Sequence, residues 1–125
     1  MPFVEDRNEH PLIVQAQQRI ERHIGVPVDT VWLVGSSWEC DVRHPQLRPV
    51  HAAVARTEAG AYWVVDMGRT AMGTARTYVQ RVPYDPDLVA GLHELPPLYP
   101  ATTPLEMIPG YTLMLGTIAM PWAPR

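Results

Sequence analysis

Val50-His51-Ala52-Ala53-Val54-Ala55, then Glu58-Ala59-Gly60, then Ala61-Tyr62-Trp63-Val64-Val65 holds two short apolar runs on either side of a glycine turn. Valine and aromatic side chains suit a pleated, half-buried surface, and glycine accepts turn angles closed to other residues. The pattern predicts two antiparallel strands joined by a tight connection. Similar runs lie at residues 12–14, 30–34, 77–82 and 112–118, with further turn signals at Asp66-Met67-Gly68 and Ile108-Pro109-Gly110. Strands at this spacing predict an all-β sandwich of two antiparallel sheets.

A chain of 125 residues has room for one core, and the 46% hydrophobic and 18% charged composition is that of a globular domain, not a disordered one. The formal net charge is -3 and no lysine is present, so the clustered cations that bind a phosphate backbone are missing. Nucleic acid is not an expected partner. Cys40 is the only cysteine, which excludes an intramolecular disulfide and a thiolate-rich zinc site. The start Met1-Pro2-Phe3-Val4-Glu5-Asp6-Arg7 carries acids where a secretory signal has a basic region, and no apolar run approaches the ~20 residues needed to span a bilayer. The expected location is the cytoplasm, without membrane insertion.

Residues 12–24 support two readings. Leu12, Ala16, Ile20 and Ile24 fall at helical spacing, with Gly25 and Pro27 placed to stop a helix. A strand pair turning near Gln17-Gln18 agrees better with the all-β character downstream, and that is the expectation. Residues 84–103 are broken by proline at Asp85-Pro86-Asp87 and Leu95-Pro96-Pro97-Leu98, which predicts a long inserted loop before the last strands. Within it residues 87–94 can form one or two helical turns. The divisions expected are an arm at 1–11, a domain at 12–120 and a tail at 121–125.

Val34-Gly35-Ser36-Ser37-Trp38-Glu39-Cys40-Asp41-Val42 resembles the opening motif of the forkhead-associated (FHA) domain family, hydrophobic-Gly-Arg-Ser followed by Cys-Asp-Ile. Arg48-Pro49-Val50-His51-Ala52 stands where that family has Ser-Arg-x-His-Ala. Tyr62-Trp63-Val64-Val65-Asp66-Met67-Gly68 is similar to its strand ending in Asp-Leu-Gly, and Met72-Gly73-Thr74 to its Asn-Gly-Thr. A fourth block, residues 104–111, resembles the Leu-x-x-Gly-Asp turn before a closing Leu-Gly, here Leu115-Gly116. Four blocks in order over residues 12–120 imply an FHA-like sandwich whose loops at one end form a peptide-binding surface.

The resemblance also implies where phosphothreonine would be held: by an Arg after the first glycine, a Ser three residues before the His, and an Asn before Gly-Thr. Here Ser36 stands for the Arg, Arg48 for the Ser, Pro49 for the following Arg and Met72 for the Asn, and the loop before Met72 is one residue longer. Hydrogen bonds to a charged group contribute about 1.5 to 3 kcal/mol each, so losing two or three weakens binding roughly a thousandfold or more. Gly35, His51, Gly73 and Thr74 remain as the scaffold of the recognition loops.

The function expected is therefore a non-enzymatic protein-binding module, a phosphate-independent adaptor or small subunit of a larger assembly, with another protein as partner. Its loop-tip contacts would come from Ser36, Trp38, Arg48, Arg69, Thr70 and Met72. The insertion would add docking contacts from Leu88, Leu92, Leu95, Leu98 and Tyr99. The alternative is a phosphothreonine-peptide reader with a rearranged anion site built on Arg48 and Arg69, with Ser36 or Thr70 as a further contributor. The five histidines show no paired ligand spacing and no activated nucleophile motif accompanies His51, so neither metal, cofactor nor catalysis is expected.

Overall fold

The computed structural model describes residues 10–68, 76–82 and 97–122. Among them one helix, α1 (Pro11–Ile24), precedes nine strands: β1 (Val28–Gly35), β2 (Val42–Arg43), β3 (Ala52–Thr57), β4 (Tyr62–Asp66), β5 (Thr77–Gln80), β6 (Leu98–Pro100), β7 (Leu105–Met107), β8 (Thr112–Leu115) and β9 (Ile118–Pro121). The strands form a five-stranded sheet in the order β2-β1-β3-β4-β7 and a four-stranded sheet in the order β6-β5-β8-β9. All pairings are antiparallel except β1 with β2, where Val34 lies opposite Val42 in parallel register. The hairpin read from residues 50–65 is β3 and β4, with Ala55 opposite Trp63 and Gly60 at positive φ in its turn.

Residues 11–24 are a helix and not the expected strand pair. Its limits follow from local chemistry. Pro11 occupies the first turn, where its missing N–H has no intrahelical acceptor in any case. The ring of His10 accepts the Leu12 N–H through Nδ1, and Gly25 ends the helix at φ 76°, donating its own N–H to the Glu21 carbonyl. Glu21 also accepts the Val28 N–H, which fixes the exit into β1. What decides for the helix is burial: Ile13, Ala16 and Ile20 bring one apolar stripe onto a face of the five-stranded sheet.

Two cores result. One lies between α1 and the five-stranded sheet, where Ile13, Ala16 and Ile20 meet Val31, Leu33, Ala53, Ala55 and Val65. The other lies between the sheets, where Val34, Ala52, Val54, Val64 and Met107 face Val79, Leu113 and Leu115. Strand β3 is buried on both faces, and its alanines let helix and opposing sheet approach. Trp63 and Trp32 go to opposite faces, the first beside the helix core and the second beside the inter-sheet core.

Three further expectations need correction. The run at 112–118 is a hairpin, β8 and β9, turning at Gly116 with φ 63°. Residues 98–100, assigned to the inserted loop, pair with β5 as an edge strand. The tail does not begin as a free segment: Pro121 ends β9, and Trp122 packs on the inter-sheet core while exchanging backbone hydrogen bonds with Gly110 and Tyr111. No helix among the described residues is long and apolar enough to cross a membrane.

Ile20 is fully buried at the centre of the helix contact. Ile20→Ala is expected to lower unfolding stability by about 2–5 kcal/mol, whereas Val26→Ala, at a half-exposed position, should change it by less than about 0.5 kcal/mol. Urea unfolding midpoints of the two variants check this.

Candidate functional site

The loop between β1 and β2 is built against the β2–β3 connection by backbone contact. Ser36 N–H donates to the Arg48 carbonyl at 2.9 Å and Ser37 N–H to the Pro49 carbonyl at 3.1 Å. Gly35 makes this approach possible, because a Cβ there would fall 2.3 Å from the Pro49 oxygen. The Cys40 thiol donates to the same Pro49 oxygen at 3.1 Å, and burial pushes its pKa up, so it stays protonated. Asp41 accepts the Leu33 N–H at 2.9 Å and closes the loop. Glu39 meets the other ring nitrogen of the helix cap, His10 Nε2, at 2.8 Å.

At the centre of this fixed loop Trp38 is 82% exposed. Nearby in sequence, Val42 on edge strand β2 is 40% exposed. A large aromatic ring on a loop whose neighbours are all tied down loses little freedom when it binds.

Arg48 takes a different course. Its Nη2 donates to Asp66 Oδ1 at 2.8 Å, with a quarter of the Arg48 side chain and a twentieth of the Asp66 side chain exposed. The guanidinium lies where a Cβ on Gly68 would be, 1.7 Å from that position, so its inward course depends on glycine at 68. Its Nε and Nη1 are buried without a hydrogen-bond partner among the described residues. Asp66 also accepts from the Thr77 hydroxyl, its own N–H donates to the Ala101 carbonyl, and its carbonyl receives Arg19 of the helix at 2.9 Å. Asp66 is thus a buried junction between the sheets and α1, where the sequence suggested only a turn.

His51 completes the frame. Its Nδ1 accepts the Arg48 N–H at 3.4 Å and its Nε2–H donates to the Arg76 carbonyl at 3.0 Å, which fixes the neutral Nε2 tautomer. Burial lowers its pKa, the charges of Arg48 and Arg76 act in the same direction, and the Arg76 carbonyl and Asp66 oppose them.

Gly35, Ser36, Trp38, Arg48 and His51 therefore share one end of the five-stranded sheet. Arg69, Thr70, Met72, Gly73 and Thr74 lie outside the described residues, as do Leu88, Leu92 and Leu95. Leu98 and Tyr99 stand partly exposed on edge strand β6, where the Arg81 guanidinium lies 4.4 Å from the Tyr99 ring centroid. Sequence reasoning missed Arg19, His10 and Thr77, whose partners are up to 83 residues away. No group of three or more His, Cys, Asp or Glu side chains able to hold a metal ion occurs among the described residues. The fold and loops define a helix-backed β-sandwich with an ordered aromatic loop tip. No protein-family model matches the chain, and no match was found among curated proteins.

Removing the acid from the Arg48–Asp66 pair leaves a partly buried cation with no carboxylate. Asp66→Asn is expected to cost about 1–3 kcal/mol, less than a fully buried pair because Arg48 reaches solvent; chemical denaturation measures it. For His51, the unfolded chain binds a proton more readily than the native one. Its stabilising contribution is complete above the ordinary value of 6.5 and declines as pH falls from there through the lowered native value. His51→Gln is expected to flatten this part of the stability-against-pH curve, read from unfolding midpoints taken across the window.

Proposed function

We propose that this chain is an FHA-like, non-enzymatic protein-binding module of the cytoplasm that engages its partner without phosphate, through the β1–β2 loop. The observation that carries this reading is Trp38, 82% exposed on a loop fixed from both sides. Interface energy concentrates in a few large anchors, with Trp foremost, held in place before binding. Arg48 supports the same reading from the opposite direction. Its charge is turned onto Asp66 beneath the loops, so a phosphate dianion would have to displace that carboxylate or share a buried site with it, at the cost of like-charge repulsion. The FHA-like frame draws support from the order of its sequence blocks, from the close approach at Gly35 and from the bridging of two connections by His51.

An adaptor of this kind carries its affinity in ring surface. Trp38→Ala is expected to weaken capture of a stoichiometric companion from native extract at least about tenfold, with an unfolding midpoint unchanged, since the ring contributes little to either core. Phosphatase treatment of the extract should leave capture intact. Capture that disappears after phosphatase, or survives Trp38→Ala undiminished, rejects the proposal; loss that also follows Arg48→Ala in a correctly folded protein would favour the phosphothreonine-reading alternative.

A further inference from the structure

The two sheets do not fill the space between them evenly. Beside edge strands β2 and β9 they leave a half-open apolar cavity of about 260 Å³, with its mouth at Val42. Its aliphatic walls are Val34 and Val54 from the five-stranded sheet and Leu113 from the opposite one, with Val42 and Met120 contributed by the edge strands themselves. The rest is aromatic. Trp32 and Tyr62 stack with centroids 6.3 Å apart, and Trp122 meets Tyr62 edge-on at 5.3 Å.

Among the described residues no carboxylate, imidazole or guanidinium lines this space. A charged guest would lose its hydration with nothing to replace it, which costs several kcal/mol or more. The Trp122 indole N–H is buried with no hydrogen-bond acceptor among the described residues, so that residue offers ring surface and one unpaired donor, which suits a neutral guest carrying a hydroxyl or carbonyl oxygen. Water gains little here, because a stable water site needs two or more polar partners. A dry apolar cavity of ~150 Å³ holds benzene in another protein, so the larger space here has room for a substituted or fused ring. It is too small for a long acyl chain. The aromatic residues lining it also hold one another: Arg56 lies over the Trp32 ring at 5.7 Å and pairs with Asp29 at 2.8 Å.

We infer that this cavity is a binding site for a small, neutral, ring-bearing organic molecule, recognised by shape and apolar area and not by charge. The inference does not rest on the adaptor reading, because the cavity is formed between the sheets and Trp38 takes no part in it.

Titration of the full chain with 1-naphthol, followed by the indole N–H signals of the four tryptophans and the methionine methyl signals, tests it. The expected result is a saturable one-site change at Trp32, Trp122 and Met120, with Trp38 unmoved. 1-Naphthalenesulfonate, the same ring system carrying a charge, should bind at least about tenfold more weakly. Val42→Trp, at a partly exposed edge position, should cover the mouth and weaken 1-naphthol at least about tenfold. Should that variant fail to fold, Met120→Gln, which places an amide against the apolar wall, should lower affinity in the same direction. Non-saturable changes, equal binding of the sulfonate, shifts centred on Trp38, or a folded cavity variant that binds as well as the parent would each overturn the assignment.

Discussion

Strand β3 has to be covered twice. Ala52, Ala53, Val54 and Ala55 are all buried, so neither face of the hairpin at the centre of the larger sheet can be left to water. Val54 and Ala52 meet the second sheet, and Ala53 and Ala55 meet the helix. At roughly 25 cal/mol per Å² of apolar surface removed from water, the helix cover is a substantial share of what stabilises the domain, although α1 contributes no strand. The alanines matter as much as the valines. Larger side chains on the helix side would hold α1 away from the sheet and break the contacts of Ile13 and Ile20.

Covering β3 fixes the loops at its ends. The junction at Asp66 joins three layers: Arg48 from the β2–β3 connection, Thr77 from the second sheet and Arg19 from the helix. Arg19 reaches past it to the Thr102 carbonyl at 3.1 Å. His51 ties the same connection to residue 76, just before β5. A buried polar network of this kind is worth having only when its members are satisfied. Among the described residues two Arg48 nitrogens have no partner, and the Arg48–Asp66 pair fixes the position of the connection that packs against the Trp38 loop.

β1, β3, β4 and β5 were legible because their apolar runs are short and punctuated by glycine and proline, and the β3–β4 hairpin stands where its sequence predicts it, whereas the two- and three-residue strands β2, β6 and β7 are too short to leave a pattern. The helix was misread through weighting, not through lack of signal. Leu12, Ala16, Ile20 and Ile24 kept the helical period, Pro11 and Gly25 bracketed it, and the continuous apolar run of β3 already required cover on a second face. His10 hid the start, since imidazole is an uncommon cap. The site divided along similar lines. Gly35 and His51 were readable from their neighbours in the chain, but Arg48 with Asp66, His10 with Glu39 and Arg19 with Thr102 join residues 18, 29 and 83 positions apart. No local pattern encodes such pairs, and the parallel pairing of the two-residue β2 is set by the loop it closes.

The distribution of polar groups bears on what this surface can recognise. At the end of the sheet where the β1–β2 loop lies, Arg48 points inward under Gly68 and its charge is met by Asp66. Turning it outward would leave Asp66 buried beside Thr77 without its cation, and a carboxylate stranded in that setting is costly. The geometry is therefore held by the interior: an incoming anion competes with the packing of three layers, not with a mobile surface side chain. What the loop offers without rearrangement is the indole of Trp38 and the edge of β2. Fixed position and low charge suit the proposed binding by displaced water and ring contact, and both follow here from the same junction that fixes the fold.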